Sequence, residues 1–234
     1  MRRLVLDLDG LARLREAVGG PSLPAAAALA NVAGADAVRL GLSEELQTVS
    51  ERDLREVAAA GAALELRMAP IPSLVKAALE ARPVRVLLAS GQGGAVLPLD
   101  FRAWSNVLAP TLRTLAEAGL ASVALVAPDL AHVKAAHAVG ARGVELYTGA
   151  LVDLPLAERA EALARLGDAA RLAAKLRLEV GLSGRLDEHS LGPVLEAAPI
   201  ATSVAIGRAF VRRAALVGID RATRDLRERA LARS

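Results

Sequence analysis

The sequence predicts an α/β fold, a closed (β/α)8 TIM barrel of eight parallel strands wrapped by helices. Three observations predict it. The first is a joint written four times: Ala33-Gly34-Ala35, Ala60-Gly61-Ala62, Ala118-Gly119-Leu120 and Val139-Gly140-Ala141 each close a helical stretch just before a short apolar strand. Glycine ends a helix in a left-handed conformation without strain, and helix–Gly–strand units repeated along a chain give strands joined by helical crossovers. The second is the count: eight strand-like segments alternate with eight Ala- and Leu-rich helical segments in 234 residues. The third is the end of the first strand. Asp7-Leu8-Asp9-Gly10 carries no glycine-rich dinucleotide fingerprint, which argues against an open doubly wound sheet.

The strands are predicted at 4–9, 37–42, 63–69, 84–89, 122–127, 143–149, 176–184 and 203–207. The helices are predicted near 24–33, 50–60, 72–81, 103–118, 129–138, 156–175, 187–197 and 209–231. Ser50-Glu51-Arg52-Asp53 reads as a capping box with Asp in place of Glu or Gln. Pro128-Asp129 sets a turn residue and an acid at the next helix start. Gly91-Gln92-Gly93-Gly94, after the fourth strand, reads as a flexible connection, either a lid or a plain surface loop. No linker or composition shift divides the chain, so residues 1–234 are expected to form one barrel domain.

Composition narrows the function. Cysteine is absent, which removes disulfides, thiol nucleophiles and Cys-ligated metals. The net charge of +3 balances 29 basic against 26 acidic residues. The set Glu158, Arg159, Glu161, Arg165, Asp168 and Arg171 reads as a mixed-sign solvated helix face. Aromatic residues make up 2% of the chain, too few for a stacking platform, so nucleic acid is not an expected partner. Met1-Arg2-Arg3 runs straight into the first strand, and no uncharged run is long enough to span a bilayer; a cytoplasmic protein with no membrane partner is expected.

In a barrel of this class the site lies at the C-terminal strand ends. Polar residues two apart on a strand share a face, and the helix-facing side must be apolar. Asp7 and Asp9, Arg39 and Gly41, Glu65 and Arg67, Glu145 and Tyr147, and Arg177 and Glu179 are therefore expected to point inward. Such a cluster is either a charged pocket gripping a polar or anionic substrate or a closed ion-pair network. The seventh strand ends Ser183-Gly184-Arg185, and the eighth ends Gly207-Arg208 at a helix start. Small residues, backbone N–H groups and a helix N-terminus suit a phosphate. His132, His137 and His189 sit on predicted outer helices, without metal-ligand spacing.

At this point the residues resemble a family, the pyridoxine 5'-phosphate synthases of vitamin B6 biosynthesis. The likeness rests on Asp7-Leu8-Asp9 with Ala12-Arg13-Leu14-Arg15, Ala33-Gly34-Ala35-Asp36, Ser50-Glu51-Arg52-Asp53-Leu54 and Leu66-Arg67-Met68-Ala69. Glu145-Leu146-Tyr147-Thr148-Gly149 and Ile206-Gly207-Arg208-Ala209 complete it. The resemblance implies a (β/α)8 barrel, a homo-oligomer and a condensation of 1-deoxyxylulose 5-phosphate with an aminoacetone phosphate. It implies no redox cofactor, and neither a cofactor nor a metal is expected.

The resemblance also implies which groups are replaced. Gly10, Gly41, Thr48, Tyr147, Leu182 and Arg208 stand where the family carries His; Ser43 stands for an Arg and Arg67 for the catalytic Glu. Asp9, Arg15, Glu145, Thr148, Gly149 and Gly207 remain. Asp9 and Glu145 are the candidate catalytic residues; Arg39, Arg67, Thr148, Ser183, Gly184, Gly207 and Arg208 are candidates for binding substrate or phosphate. The expected function is a diverged or inactive synthase homologue that binds a phosphorylated small molecule. The alternatives are a different enzyme using Asp9 and Glu145, and a structural or interaction protein.

Overall fold

A computed structural model describes residues 1–44, 48–92 and 95–231. Its strands are β1 (Arg3–Asp7), β2 (Ala37–Gly41), β3 (Leu64–Met68), β4 (Arg85–Leu88), β5 (Ser90–Gln92), β6 (Ala95–Leu97), β7 (Ala121–Val126), β8 (Gly143–Tyr147), β9 (Glu179–Ser183) and β10 (Ser203–Ile206). The helices are α1 (Asp9–Val18), α2 (Leu23–Val32), α3 (Glu51–Ala59), α4 (Pro72–Ala81), α5 (Ser105–Glu117), α6 (Leu130–Ala138), α7 (Gly149–Asp153), α8 (Leu156–Lys175), α9 (Leu191–Ala197), α10 (Arg208–Val217) and α11 (Ile219–Leu231). Eight strands close in the order β1-β10-β9-β8-β7-β4-β3-β2, every neighbour parallel. This is the predicted (β/α)8 barrel.

The four glycine joints are built as read. Gly34, Gly61, Gly119 and Gly140 all have positive φ, from +76° to +106°. The capping box of α3 is formed: Ser50 Oγ accepts from the Asp53 amide at 3.2 Å, and Asp53 Oδ2 accepts from the Ser50 amide at 2.8 Å. Asp129 caps α6 by accepting from the His132 amide at 2.9 Å. The solvated face of α8 carries the Arg165–Glu161 and Arg171–Asp168 pairs.

Several elements differ from expectation. The first strand stops at Asp7, and Asp9 opens α1, a helix absent from the predicted set. Its N-cap is Leu8, with no side-chain cap to announce it. The loop after β4 makes a two-stranded hairpin, β5–β6; Gly93 and Gly94 of the expected flexible stretch lie outside the described residues. The last predicted helix is two, α10 and α11, divided at Gly218. Asp187 accepts from the His189 and Ser190 amides, and this turn delays α9 to Leu191. Arg177 lies not in a strand but in the turn after α8, at φ +60°.

Alternation along the strands sorts the core. Leu4, Leu6, Val38, Leu40, Leu64 and Leu66, with their counterparts around the barrel, face the helices in one large apolar layer. The opposite faces fill the barrel, and two small apolar clusters sit there: Val5, Ala37 and Ala205 in one, Leu87, Ala89, Val123 and Leu125 in the other. The remaining interior is charged.

Candidate functional site

The charged interior is stacked in two levels. The lower level is a closed network. Arg39, 2% exposed, donates to Glu145 through both terminal nitrogens at 2.7 Å and to Glu65 Oε2 at 2.7 Å. Register explains the meeting: Arg39 on β2 lies beside Glu65 on β3, and Glu145 projects from across the barrel. Glu65 also takes Arg3 at 3.0 Å and lies 3.7 Å from Arg85. Arg85 continues to Glu179 at 2.6 Å, which Arg142 holds from outside at 3.2 Å. Burial alone would raise the Glu145 pKa, but Arg39 outweighs it and holds the carboxyl below its ordinary range. Burial likewise works against the Arg39 cation, and Glu145 and Glu65 reverse it, keeping the guanidinium charged. Arg39 Nε has no hydrogen-bond partner among the described residues.

The upper level is unbalanced. The Arg67 guanidinium bridges Asp7 and Asp9. Asp9 also accepts from the Gly41 amide at 2.7 Å, and Asp7 accepts from the Asp9 amide at 3.0 Å. One guanidinium is shared between two carboxylates here. Burial and then the neighbouring Asp7 push Asp9 up to about 6. Burial opposes the Asp7 charge too, yet Arg67 and Arg39 win and hold it below its usual range. Arg67 also explains Gly41. A Cβ at position 41 would lie 2.5 Å from Arg67 Nη2 and 2.6 Å from Asp9 Oδ2, so the guanidinium occupies the room of any side chain there.

Above this level opens a cavity of about 500 Å³ at the C-terminal strand ends. Ser183, Gly184, Gly207 and Arg208 line one side, Asp9 and Arg67 another, and Arg39 borders the floor. Gly207 is the N-cap of α10, so the positive end of that helix borders the cavity. Gly184 sits at φ +105°, and a Cβ there would lie 2.6 Å from the Tyr147 ring; backbone and packing both require glycine. The Ser183 hydroxyl bonds to Glu145, joining the β9 end to the lower network.

Of the candidate residues, then, Asp9, Arg39, Arg67, Ser183, Gly184, Gly207 and Arg208 come together. Two stand apart. Glu145 is 2% exposed and spent on Arg39. Thr148 is fully buried behind the β9 end, where its hydroxyl donates to the Ser183 carbonyl at 3.0 Å and the Gly184 carbonyl at 2.6 Å. Tyr147, expected to point inward, and Arg185, at the seventh strand end, line the cavity as well, and so do Arg13, Leu87 and Val96, which sequence alone does not single out as site residues. Arg13 comes from the unforeseen α1, and Arg185 pairs with Asp153. Among the described residues no histidine lines the cavity, and no group of His, Cys, Asp and Glu has the arrangement of a metal site. No helix among them is long and apolar enough to cross a membrane.

Fold and cavity define the class: a (β/α)8 barrel whose charged mouth lies where this fold places its chemistry. The chain matches the family model described as pyridoxal phosphate biosynthesis protein PdxJ over residues 4–232. It is 34% identical over 232 residues to a pyridoxine 5'-phosphate synthase of Desulfatibacillum aliphaticivorans and 33% identical over 237 residues to that of Geobacter metallireducens, each match covering 97% of both chains. This protein belongs to the PdxJ family, as the resemblance implied, and its homologues point to a pyridoxine 5'-phosphate synthase type of function. Solved structures with the same fold include a 4-hydroxy-2-oxoglutarate/2-dehydro-3-deoxyphosphogluconate aldolase (TM-score 0.67, 16% identity, covering 97% of this chain and 94% of that one). A thiamine phosphate pyrophosphorylase from Pyrococcus furiosus has a TM-score of 0.57 at 16% identity, covering 98% and 95%. At such identities they speak to fold alone.

Proposed function

We propose that this chain binds a phosphorylated small molecule in the barrel mouth and does not perform the ring-closing condensation of its relatives. Arg67 carries this reading. It occupies the third-strand position where the resemblance implies a catalytic Glu, and its guanidinium is held between Asp7 and Asp9. It also fills the space over Gly41, where the resemblance implies a His. A proton shuttle needs a group that gains and loses its proton near neutral pH, and arginine does not. Phosphate binding needs less: backbone N–H groups, the positive end of α10 and the exposed Arg208 suffice as donors.

The test is direct. Purified protein given 1-deoxyxylulose 5-phosphate and an aminoacetone phosphate is expected to form no pyridoxine 5'-phosphate. Calorimetry with inorganic phosphate is expected to report binding that Arg208→Ala weakens roughly tenfold, the worth of one charge-assisted contact. Product formed at the rate of a family synthase run alongside refutes the proposal.

One observation favours a second reading, a different enzyme on the same barrel. Asp9, with a pKa of about 6, is poised for proton transfer at neutral pH. Glu145 was the other candidate, but its two-pronged pairing with Arg39 weighs against a proton-transfer role. Under this reading any turnover detected disappears in Asp9→Asn and survives in Glu145→Gln.

A further inference from the structure

We propose that the ligand of this mouth is a phosphomonoester with an apolar body, the body lying against β4 and the β5–β6 hairpin while the phosphate sits at Gly207 and Arg208. The inference rests on the phosphate reading above and adds what the phosphate is attached to. Strand order supplies the geometry. In the closed sequence β1-β10-β9-β8-β7-β4-β3-β2, β4 stands four places from β10 in either direction. The wall facing Gly207 across the cavity is therefore the inner face of β4.

That wall is aliphatic. Above Arg85 the inward residues of β4 and β7 are Leu87, Val123 and Leu125, which form their own cluster inside the barrel with Ala89, just past β4. Val96 of the hairpin and Tyr147 pack against it. Leu87, Val96, Leu97 and Tyr147 line the cavity, and Leu97 is 43% exposed at its rim. A hydroxyl laid against this wall loses water and finds no partner. The charged side, with Asp7, Asp9 and Arg67, lies apart from this wall and can still take polar groups. A polyhydroxylated phosphate reaching across from Gly207 is thus poorly matched to the aliphatic wall. An apolar body is matched there, and the cavity of about 500 Å³ lies in the range of single small-molecule sites.

Calorimetry on the full chain with phenyl phosphate, glycerol 3-phosphate and inorganic phosphate tests this. Phenyl phosphate is expected to bind about tenfold more tightly than glycerol 3-phosphate, the effect of burying a ring's worth of apolar surface against partly exposed polar groups. Leu87→Asn and Val96→Asn are expected to shrink that ratio towards one; Val96 lies on the surface hairpin, so its variant remains informative should the barrel-interior change fail to fold. If inorganic phosphate binds and glycerol 3-phosphate equals or exceeds phenyl phosphate, the apolar body is ruled out and the phosphate reading stands. If none of the three binds, the phosphate reading itself fails and takes this inference with it.

Discussion

The two levels of charge inside the barrel use the same residue types to opposite effect. Below, Arg3, Arg39 and Arg85 face Glu65, Glu145 and Glu179, and the charges balance. Above, Asp7 and Asp9 share one paired guanidinium, Arg67, with Arg39 and Arg13 acting on them from farther off. The balanced level holds Glu145 firmly ionised, whereas the unbalanced one lifts Asp9 to about 6. Burial acts on both, so the difference lies in the nearest charge: Asp9 has the Asp7 carboxylate beside it, whereas Glu145 is gripped through both oxygens by Arg39. The lower level replaces the aliphatic layers that usually fill such a barrel. The upper level keeps its groups within reach of solvent at the mouth, with side-chain exposures of 11–17%.

The sharpest way to break this contrast is in the plug. Glu145→Gln leaves the Arg39 cation with Glu65 as its one remaining carboxylate, and urea unfolding is expected to show a loss of about 3–5 kcal/mol. Replacing both partners, Arg39→Met with Glu145→Leu, is expected to cost less than the single change, because no buried charge is then left uncompensated. A single change that costs under about 1 kcal/mol shows that the network is not closed.

The mouth should respond to pH instead. The Asp9 pKa is raised from 3.8 to about 6, so its contribution to stability is fully present below 3.8 and is lost as pH rises through 6. Glu145 has the opposite sign: its lowered pKa contributes above the unfolded value and is lost on acidification. Protonating Asp9 also leaves the Arg67 charge less neutralised. Sulfate, whose own charge is constant over this range, is expected to bind several-fold more weakly as pH rises through about 6, a dependence that Asp9→Asn removes. A sulfate affinity flat from pH 5 to 7 in the unaltered protein contradicts the assignment. The smallest effect is expected behind the site, where Thr148→Val removes the one hydroxyl proton shared by the Ser183 and Gly184 carbonyls. Stability should fall by about 1 kcal/mol, and sulfate affinity about twofold as the β9 end loosens.

Much of the barrel is legible in the sequence because its signals are local. The glycine joints and the inward alternation of charged residues need no tertiary knowledge; the joints are built as read, and the alternation holds on β2, β3 and β8 but not at Arg177, which falls in a turn. What escapes lacks a local signal. Helix α1 starts without a side-chain cap, so Asp7-Leu8-Asp9 reads as one strand; Asp9 reaches the mouth anyway, from the first turn of a helix. Arg13 is invisible as a site residue without that helix. Gly218 did mark the break between α10 and α11, but the helical periodicity runs across it. The separation of Glu145 from Asp9 escapes for a different reason. Both are inward acids, and only the register of eight strands decides which one meets Arg39.

The contest between Arg67 and position 41 for one volume has a consequence for how this mouth can change. With the guanidinium in place, a side chain at position 41 has to displace the mobile ends of Arg67 and Asp9 and so disturb their pairing. Shortening residue 67 first opens the room but leaves two acids facing each other without their shared counter-ion. Substitutions at 41 and 67 are therefore expected to act non-additively.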